Sequence, residues 1–167
     1  PAKLIMVMGV QRSGTTALVE SLGQDPTLRI EDEKEDGVFY RDFYIRPEAE
    51  IGPIIRQIKR RILLKPISET FYRSIDDVIE EFSAHGVAIA WIFRDPVDVW
   101  QSTRTVLKVP DSELDTWIER WNSRNQTVLD SLQGRFHQHI AIVYYGDLIR
   151  CRETYDALCH FLSIEPR

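Results

Sequence analysis

Leu4-Ile5-Met6-Val7-Met8 runs directly into Gly9-Val10-Gln11-Arg12-Ser13-Gly14-Thr15-Thr16. Two glycines bracket an amide, a guanidinium and a hydroxyl, and two further hydroxyls follow. Backbone N–H groups of such a loop, with the N-terminus of the next helix, make a cradle for an anion. Ser13, Thr15 and Thr16 add neutral donors, and Arg12 adds fixed positive charge. The spacing nearly matches the nucleoside-triphosphate loop, in which a lysine follows the second glycine. Here that position is Thr15. Without the lysine, a kinase or NTPase loses its main charge on the transferring group. Arg12, inside the loop, suits a different phosphate arrangement. A bare strand-turn-helix would leave this many donors unused.

A second set lies at Ile92-Phe93-Arg94-Asp95-Pro96-Val97-Asp98-Val99-Trp100-Gln101-Ser102. Arg94 ends an apolar run, so it projects from a sheet edge, and the helix opened by Pro96 brings Ser102 back beside it. An arginine fork and a serine hydroxyl suit a phosphate. Taken alone, Arg94-Asp95 reads equally as a helix cap with a local ion pair. Lys65 precedes Pro66 at the end of another apolar run and reads alone as a surface lysine before a turn. Glu31-Asp32-Glu33-Lys34-Glu35-Asp36 is a charge run whose default reading is a solvated loop. Arg56, Lys59, Arg60 and Arg61 form a basic cluster that reads best as a solvated helix face. No His, Cys, Asp or Glu grouping has metal-ligand spacing, so no metal site is expected. His85, His137, His139 and His160 have no catalytic context, and the turn position of His137 and His139 predicts exposure to solvent.

The elements that must carry these residues alternate along the chain. Leu4–Met8, Val87–Phe93 and Ile140–Tyr144 read as strands buried on both faces. Thr27–Ile30 reads as a shorter one, and Ile62–Leu64 reads either as a strand start or as the end of a helix over 48–62. Thr15–Leu22 places Leu18, Val19 and Leu22 on one helical face, with Gly23 as a stop. Ser74-Ile75-Asp76-Asp77 and Ser112-Glu113-Leu114-Asp115 read as helix starts, the second opening a long helix with Trp117 and Trp121 in the core. Cys151 and Cys159 fall in one C-terminal helix, about 12 Å apart and beyond disulfide reach. This order predicts an α/β fold: a three-layer, P-loop-like domain with a mainly parallel central sheet flanked by helices.

The 167 residues, 43% hydrophobic and 28% charged, have the balance of one globular domain, spanning 1–167. No apolar run approaches the length of a membrane span, and no signal-peptide pattern opens the chain. A net charge of −5 argues against a general nucleic-acid binder. Thiols without a disulfide framework favour a reducing, cytoplasmic setting. A Golgi-luminal catalytic domain cut from its anchor would look the same.

Gln11-Arg12-Ser13-Gly14-Thr15-Thr16 resembles the 5′-phosphosulfate loop of sulfotransferases that use 3′-phosphoadenosine 5′-phosphosulfate (PAPS), commonly Pro-(Lys/Arg)-Ser-Gly-Thr-Thr. The arginine version after Gly-Val is most similar to tyrosylprotein sulfotransferases and bacterial relatives, with Gln11 in place of the usual proline. Arg94 and Ser102 have the spacing of the family's 3′-phosphate motif. Tyr144-Tyr145-Gly146-Asp147-Leu148 resembles its Tyr-Glu-Asp-Leu segment, with Gly146 replacing the glutamate. The resemblance covers residues 4 to about 164, loosely in the middle third.

The resemblance implies sulfuryl transfer from PAPS to a small-molecule, carbohydrate or peptide acceptor, with 3′-phosphoadenosine 5′-phosphate (PAP) as product and no metal. It assigns nucleotide binding to Arg12, Ser13, Gly14, Thr15, Thr16, Arg94 and Ser102. It implies a sulfuryl contact for Lys65 and a general base at Glu33, and Arg12, with the Gly14–Thr16 amides, is placed to meet the charge that develops on the leaving 5′-phosphate. Glu33 stands just beyond the strand at Thr27–Ile30, whose end returns to the edge that holds the phosphate loop. Glu31 and Glu35 are the neighbouring alternatives. The family continues into a glycine-rich basic loop over the 3′-phosphate, and the chain stops at Arg167 without it, so an incomplete nucleotide lid is expected. The rival readings are a P-loop-like nucleotide kinase with a degenerate loop and a non-catalytic nucleotide-binding module.

Overall fold

The computed structural model describes residues 1–166. Its frame is a five-stranded parallel sheet of β1 (Leu4–Gly9), β2 (Leu28–Glu31), β5 (Arg61–Leu64), β6 (Val87–Phe93) and β7 (Ile140–Tyr144), ordered β2-β5-β1-β6-β7. β1 is central and buried along its whole length. It pairs with β6 from Leu4↔Val87 to Gly9↔Ile92. A strand buried on both faces must be apolar at every position, which is why Leu4–Met8 carries no alternation. Two short strands, β3 (Tyr40–Arg41) and β4 (Tyr44–Ile45), form a separate antiparallel pair.

Successive side chains of β1 feed two cores. Leu4, Met6 and Met8 join Ile51 and Ile55 of α2 (Glu48–Gln57), Val78 and Ile79 of α3 (Ile75–Glu81) and Val128 of α5 (Leu114–Leu132). Ile5 and Val7 join Leu18 and Leu22 of α1 (Thr15–Leu22) and Leu158 and Leu162 of α7 (Arg152–Leu162). Helices therefore cover both faces of a parallel sheet, the three layers expected from the alternation of elements. α4 (Pro96–Leu107) follows β6, and a one-turn helix, α6 (Tyr145–Leu148), follows β7. Among the described residues no helix is long and apolar enough to cross a membrane.

Several local expectations change. The helix over 48–62 stops at Gln57, because Ile58 turns extended (ψ 122°) and Ile62 is taken by β5. Arg61 is therefore on a strand, not a helix face, and its guanidinium binds the carbonyls of Ala2, Leu162 and Ser163. Ser74 caps α3 through a reciprocal bond set with Asp77, as its sequence predicts. Ser112 does not cap α5, which starts at Leu114 after a 3₁₀ turn with no side-chain cap. Cys151 precedes α7 rather than lying in it. His139 is half-buried, its Nδ1 2.9 Å from the Val87 carbonyl oxygen.

Candidate functional site

The chain leaves β1 toward β2 on one side of the sheet and leaves β6 toward β7 on the other. Beyond the carboxyl ends of β1 and β6 the connecting loops part, and open α/β sheets bind ligands in the resulting crevice. The loop after β1 and the Arg94 turn after β6 both open there. One cleft is lined by Gln11, Arg12, Gly14, Thr15, Thr16 and Glu33, together with Lys65, Ile67, Arg94 and Ser102.

The loop turns at Arg12, whose φ of 73° is uncommon for a residue with a side chain. Such backbone persists only where neighbours fix it. Here Arg12 Nε donates to Ser102 Oγ (3.1 Å), and an Arg94 N–H donates to the Arg12 carbonyl (3.3 Å). The loop after β1 and the Arg94–Ser102 segment are thus bonded to each other across 82 and 90 positions of sequence. Gly14 caps α1 at φ 106°, and a Cβ there would lie 2.5 Å from the Tyr145 ring. That ring also carries the Arg94 guanidinium, 4.7 Å from its centre. Tyr145 therefore backs two cleft residues, Gly14 and Arg94, a role with no mark in the sequence beyond its place after β7. Arg94 Nε is buried, makes no hydrogen bond among the described residues, and lies 3.8 Å from Asp98.

Ser13 is the one candidate kept out of the cleft. Its N–H bonds the Val10 carbonyl (3.0 Å), and its hydroxyl is buried beneath the loop against Gly9. Its backbone donor is taken and its hydroxyl lies buried without a hydrogen-bond partner among the described residues, leaving the Gly14–Thr16 segment at the head of α1 to face an anion.

The opposite wall comes from the ends of β2 and β5. Tyr40 donates to the Glu31 carbonyl (3.3 Å) and accepts from the Lys65 N–H (3.2 Å), joining those two strand ends. Burial, reinforced by nearby acidic side chains, pushes the Tyr40 phenol far up, so it stays a neutral two-way link. Lys65 Nζ reaches Thr16 Oγ1 (3.3 Å) and Asp32 (3.6 Å), which draws it into the cleft instead of leaving it on the open surface. Glu33 Oε1 accepts the Ser68 N–H (2.8 Å), which fixes the carboxylate at the cleft wall. Glu31 instead pairs with Arg29, and Glu35 lines a different depression with Asp36 and Arg41.

A neighbouring pocket shares Gln11 with the cleft and lies between α4, α5 and residues 70–72. Trp117 and Trp121 line it, so they are walls of an opening and not core; Trp91 and Trp100 are the buried tryptophans. Arg124 is 8% exposed there, with its guanidinium carbon 3.1 Å from the Phe71 ring centre. Burial first, then Arg120 one turn away, push its guanidinium down to about 10. Nothing in the sequence pattern singles this arginine out. Among the described residues no group of His, Cys, Asp and Glu could hold a metal ion.

No family model matches the sequence, and no curated protein matches it. Solved structures do match. The sulfotransferase domain of the Synechococcus PCC 7002 olefin synthase superimposes with a TM-score of 0.70 at 19% identity, over 97% of this chain and 73% of that one. The mouse sulfotransferase SULT7A1, complexed with PAP, gives 0.66 at 13% identity, over 98% of this chain and 59% of that one. A shikimate kinase from Bacteroides thetaiotaomicron gives 0.59 at 16% identity, over 96% and 98%. The chain spans less than two thirds of the mouse enzyme. At these identities the likeness shows the fold, one that sulfotransferases share with P-loop kinases.

Proposed function

We propose that the protein transfers a sulfuryl group from PAPS to a hydroxyl-bearing acceptor, a small molecule, carbohydrate or peptide. One observation carries this reading: Arg12, Thr16, Glu33, Lys65, Arg94 and Ser102, from four separate stretches of chain, line one cleft at the sheet's switch point. A phosphate loop with an arginine inside it and no lysine after Gly14 fits a donor whose transferring group is not a γ-phosphate. Arg94, whose Nε makes no hydrogen bond among the described residues, lines the cleft together with Ser102, and the two fit a further phosphate.

In this reading Arg94 and Ser102 hold the 3′-phosphate of the donor. The Gly14–Thr16 backbone at the α1 N-terminus holds the 5′-phosphate. Glu33 takes the acceptor's hydroxyl proton as that oxygen attacks sulfur in line. Arg12 meets the charge left on the 5′-phosphate oxygen as its bond to sulfur breaks, and PAP departs. Lys65, held by Thr16 and Asp32, faces the sulfuryl oxygens in transit. Sulfuryl transfer, like phosphoryl transfer, asks for positioning and charge stabilisation, which these groups supply. We place the activity in the cytoplasm, where free thiols such as Cys151 and Cys159 persist.

Calorimetric titration tests the reading. PAP should bind without metal, and adenosine 5′-phosphate should bind more weakly by about 2–4 kcal/mol, the loss of charge-assisted bonds to the 3′-phosphate. Arg94→Ala should remove most of that difference. Equal affinity for the two nucleotides, or tighter binding of ATP with magnesium, would overturn it.

A further inference from the structure

The pocket beside the cleft holds a charge that the protein does not neutralise. Arg124 is 8% exposed, and no carboxylate lies within ion-pair distance among the described residues. Its guanidinium has five N–H donors and makes no hydrogen bond there among the described residues; the Phe71 face packs against it, and Tyr72 is near enough to favour its charge. A cation over an aromatic face recovers less than it costs to strip a charge of its water. Arg120, one helical turn earlier, lines the same opening and repels Arg124. A third group waits beside them: the Thr103 hydroxyl is buried without a hydrogen-bond partner and faces the same pocket. Two like charges and an idle hydroxyl in one opening describe a receptor for an anion.

The remaining walls say what carries that anion. Trp117, Trp121, Leu107 and Val109 give the pocket an apolar, largely aromatic side, suited to a ring or a hydrocarbon body. Glu113 and Glu119 stand exposed at the openings and add negative charge near the rim. They leave the pair of arginines matched to a single negative charge and oppose a polyanion. Position fixes the other end. Gln11 lines both openings, and Thr103 follows Ser102 directly, so one turn of α4 faces the nucleotide cleft on one side and this pocket on the other.

We propose that this pocket is the acceptor subsite, and that the acceptor is a small hydroxy acid whose carboxylate is held by Arg124 and Arg120 while its hydroxyl points past Gln11 to the cleft. The proposal rests on the transferase reading above and narrows its acceptor to a monoanion on an apolar or aromatic body. The test titrates para-hydroxybenzoate, para-hydroxyphenylacetate and their methyl esters into protein with and without saturating PAP. For at least one pair the acid should bind roughly 10–100-fold tighter than its ester, the worth of a charge-assisted bond. That preference should fall to within about threefold in Arg124→Gln and be partly restored in Arg124→Lys, which keeps charge without the fork. Equal binding of acid and ester throughout, no acid binding at all, or a preference unchanged in Arg124→Gln would overturn the proposal. PAP affinity, read separately, tells the two readings apart. PAP bound with no acid preference removes the subsite and leaves the donor reading; acid preference without PAP binding does the reverse. If Arg124→Gln does not melt cooperatively, the wild-type acid and ester pairs with Arg120→Gln decide.

Discussion

The two walls of the cleft are built on different plans. On the wall made by the β1 loop and the start of α4, the cations Arg12 and Arg94 are tethered to a hydroxyl and to a carbonyl. Their charge is left for a ligand, with Asp98 approaching Arg94 only to 3.8 Å. On the wall made by the ends of β2 and β5, Glu33 is held by the main-chain N–H of Ser68, and the buried Glu69, next in sequence to Ser68, is held by that of Ile45. In the proposed reading the first wall offers its positive charge to phosphates. The second holds a carboxylate oxygen at a fixed point and carries Lys65, held between Thr16 and Asp32, on the same cleft. The proposed transfer uses both, one wall to bind and one to take a proton.

The sharpest way to break the comparison is at Glu33. Glu33→Gln keeps the shape and still accepts the Ser68 N–H, but it cannot take a proton. Turnover of PAPS with a responsive acceptor should fall by roughly 10²–10⁴, the scale of losing a general base. PAP affinity, set by the other wall, should stay within about threefold. Unchanged turnover would move the base elsewhere, and an equal loss in PAP affinity would show that the walls are not separable.

The cationic wall has its own test. Arg12→Ala should lower turnover by roughly 10²–10³ under saturating donor, the loss of one preorganised charge on the leaving group. Arg12→Lys should keep more activity, because a lysine retains the charge while losing only the Ser102 contact. Comparing the two variants by kcat and by PAP affinity separates charge from loop geometry. An alanine variant with normal kcat would leave Arg12 a binding residue only.

The same contrast explains what was legible in the sequence. The cationic wall comes from two contiguous motifs, so Arg12, Thr16, Arg94 and Ser102 could be read from residue types and spacing. The parallel α/β fold was legible for a related reason, since a strand buried on both faces must be apolar throughout. The other wall depends on pairings such as Glu33 with the Ser68 amide, made between positions 35 apart by main-chain atoms that every residue has. Glu33 was therefore reached through a resemblance and a strand-end argument, with Glu31 and Glu35 left open. Ser13 lies beneath the loop, and spacing does not tell which side of a tight loop a hydroxyl faces. Tyr145 and Arg124 act through ring faces brought together by tertiary packing, and no local pattern announces that.

The smallest expected effect concerns Glu69, which steadies the segment that offers its amide to Glu33. Its carboxylate is 1% exposed, accepts the Ile45 N–H and approaches Arg73 to 3.5 Å. Burial raises its pKa against the opposing pull of the Ile45 amide and Arg73. A carboxyl held above its unfolded value binds its proton more tightly in the fold. The stability that proton contributes is fully present below the unfolded value, about 4.3, and is lost as pH rises through the folded value. Glu69→Gln stays neutral and still accepts from Ile45, so it removes this slope at the cost of the Arg73 contact, and Arg73 retains Glu81. Thermal melts from pH 4 to pH 7 should therefore show the variant gaining on the wild type as pH rises. The relative gain should be about 1 kcal/mol, or about 2–4 °C for a domain of this size. A variant that instead loses ground as pH rises would show that Arg73 and the Ile45 amide outweigh burial. The acidic wall would then owe its stability to charge pairing, as a surface does, and the contrast with the cationic wall would narrow to which residues they use.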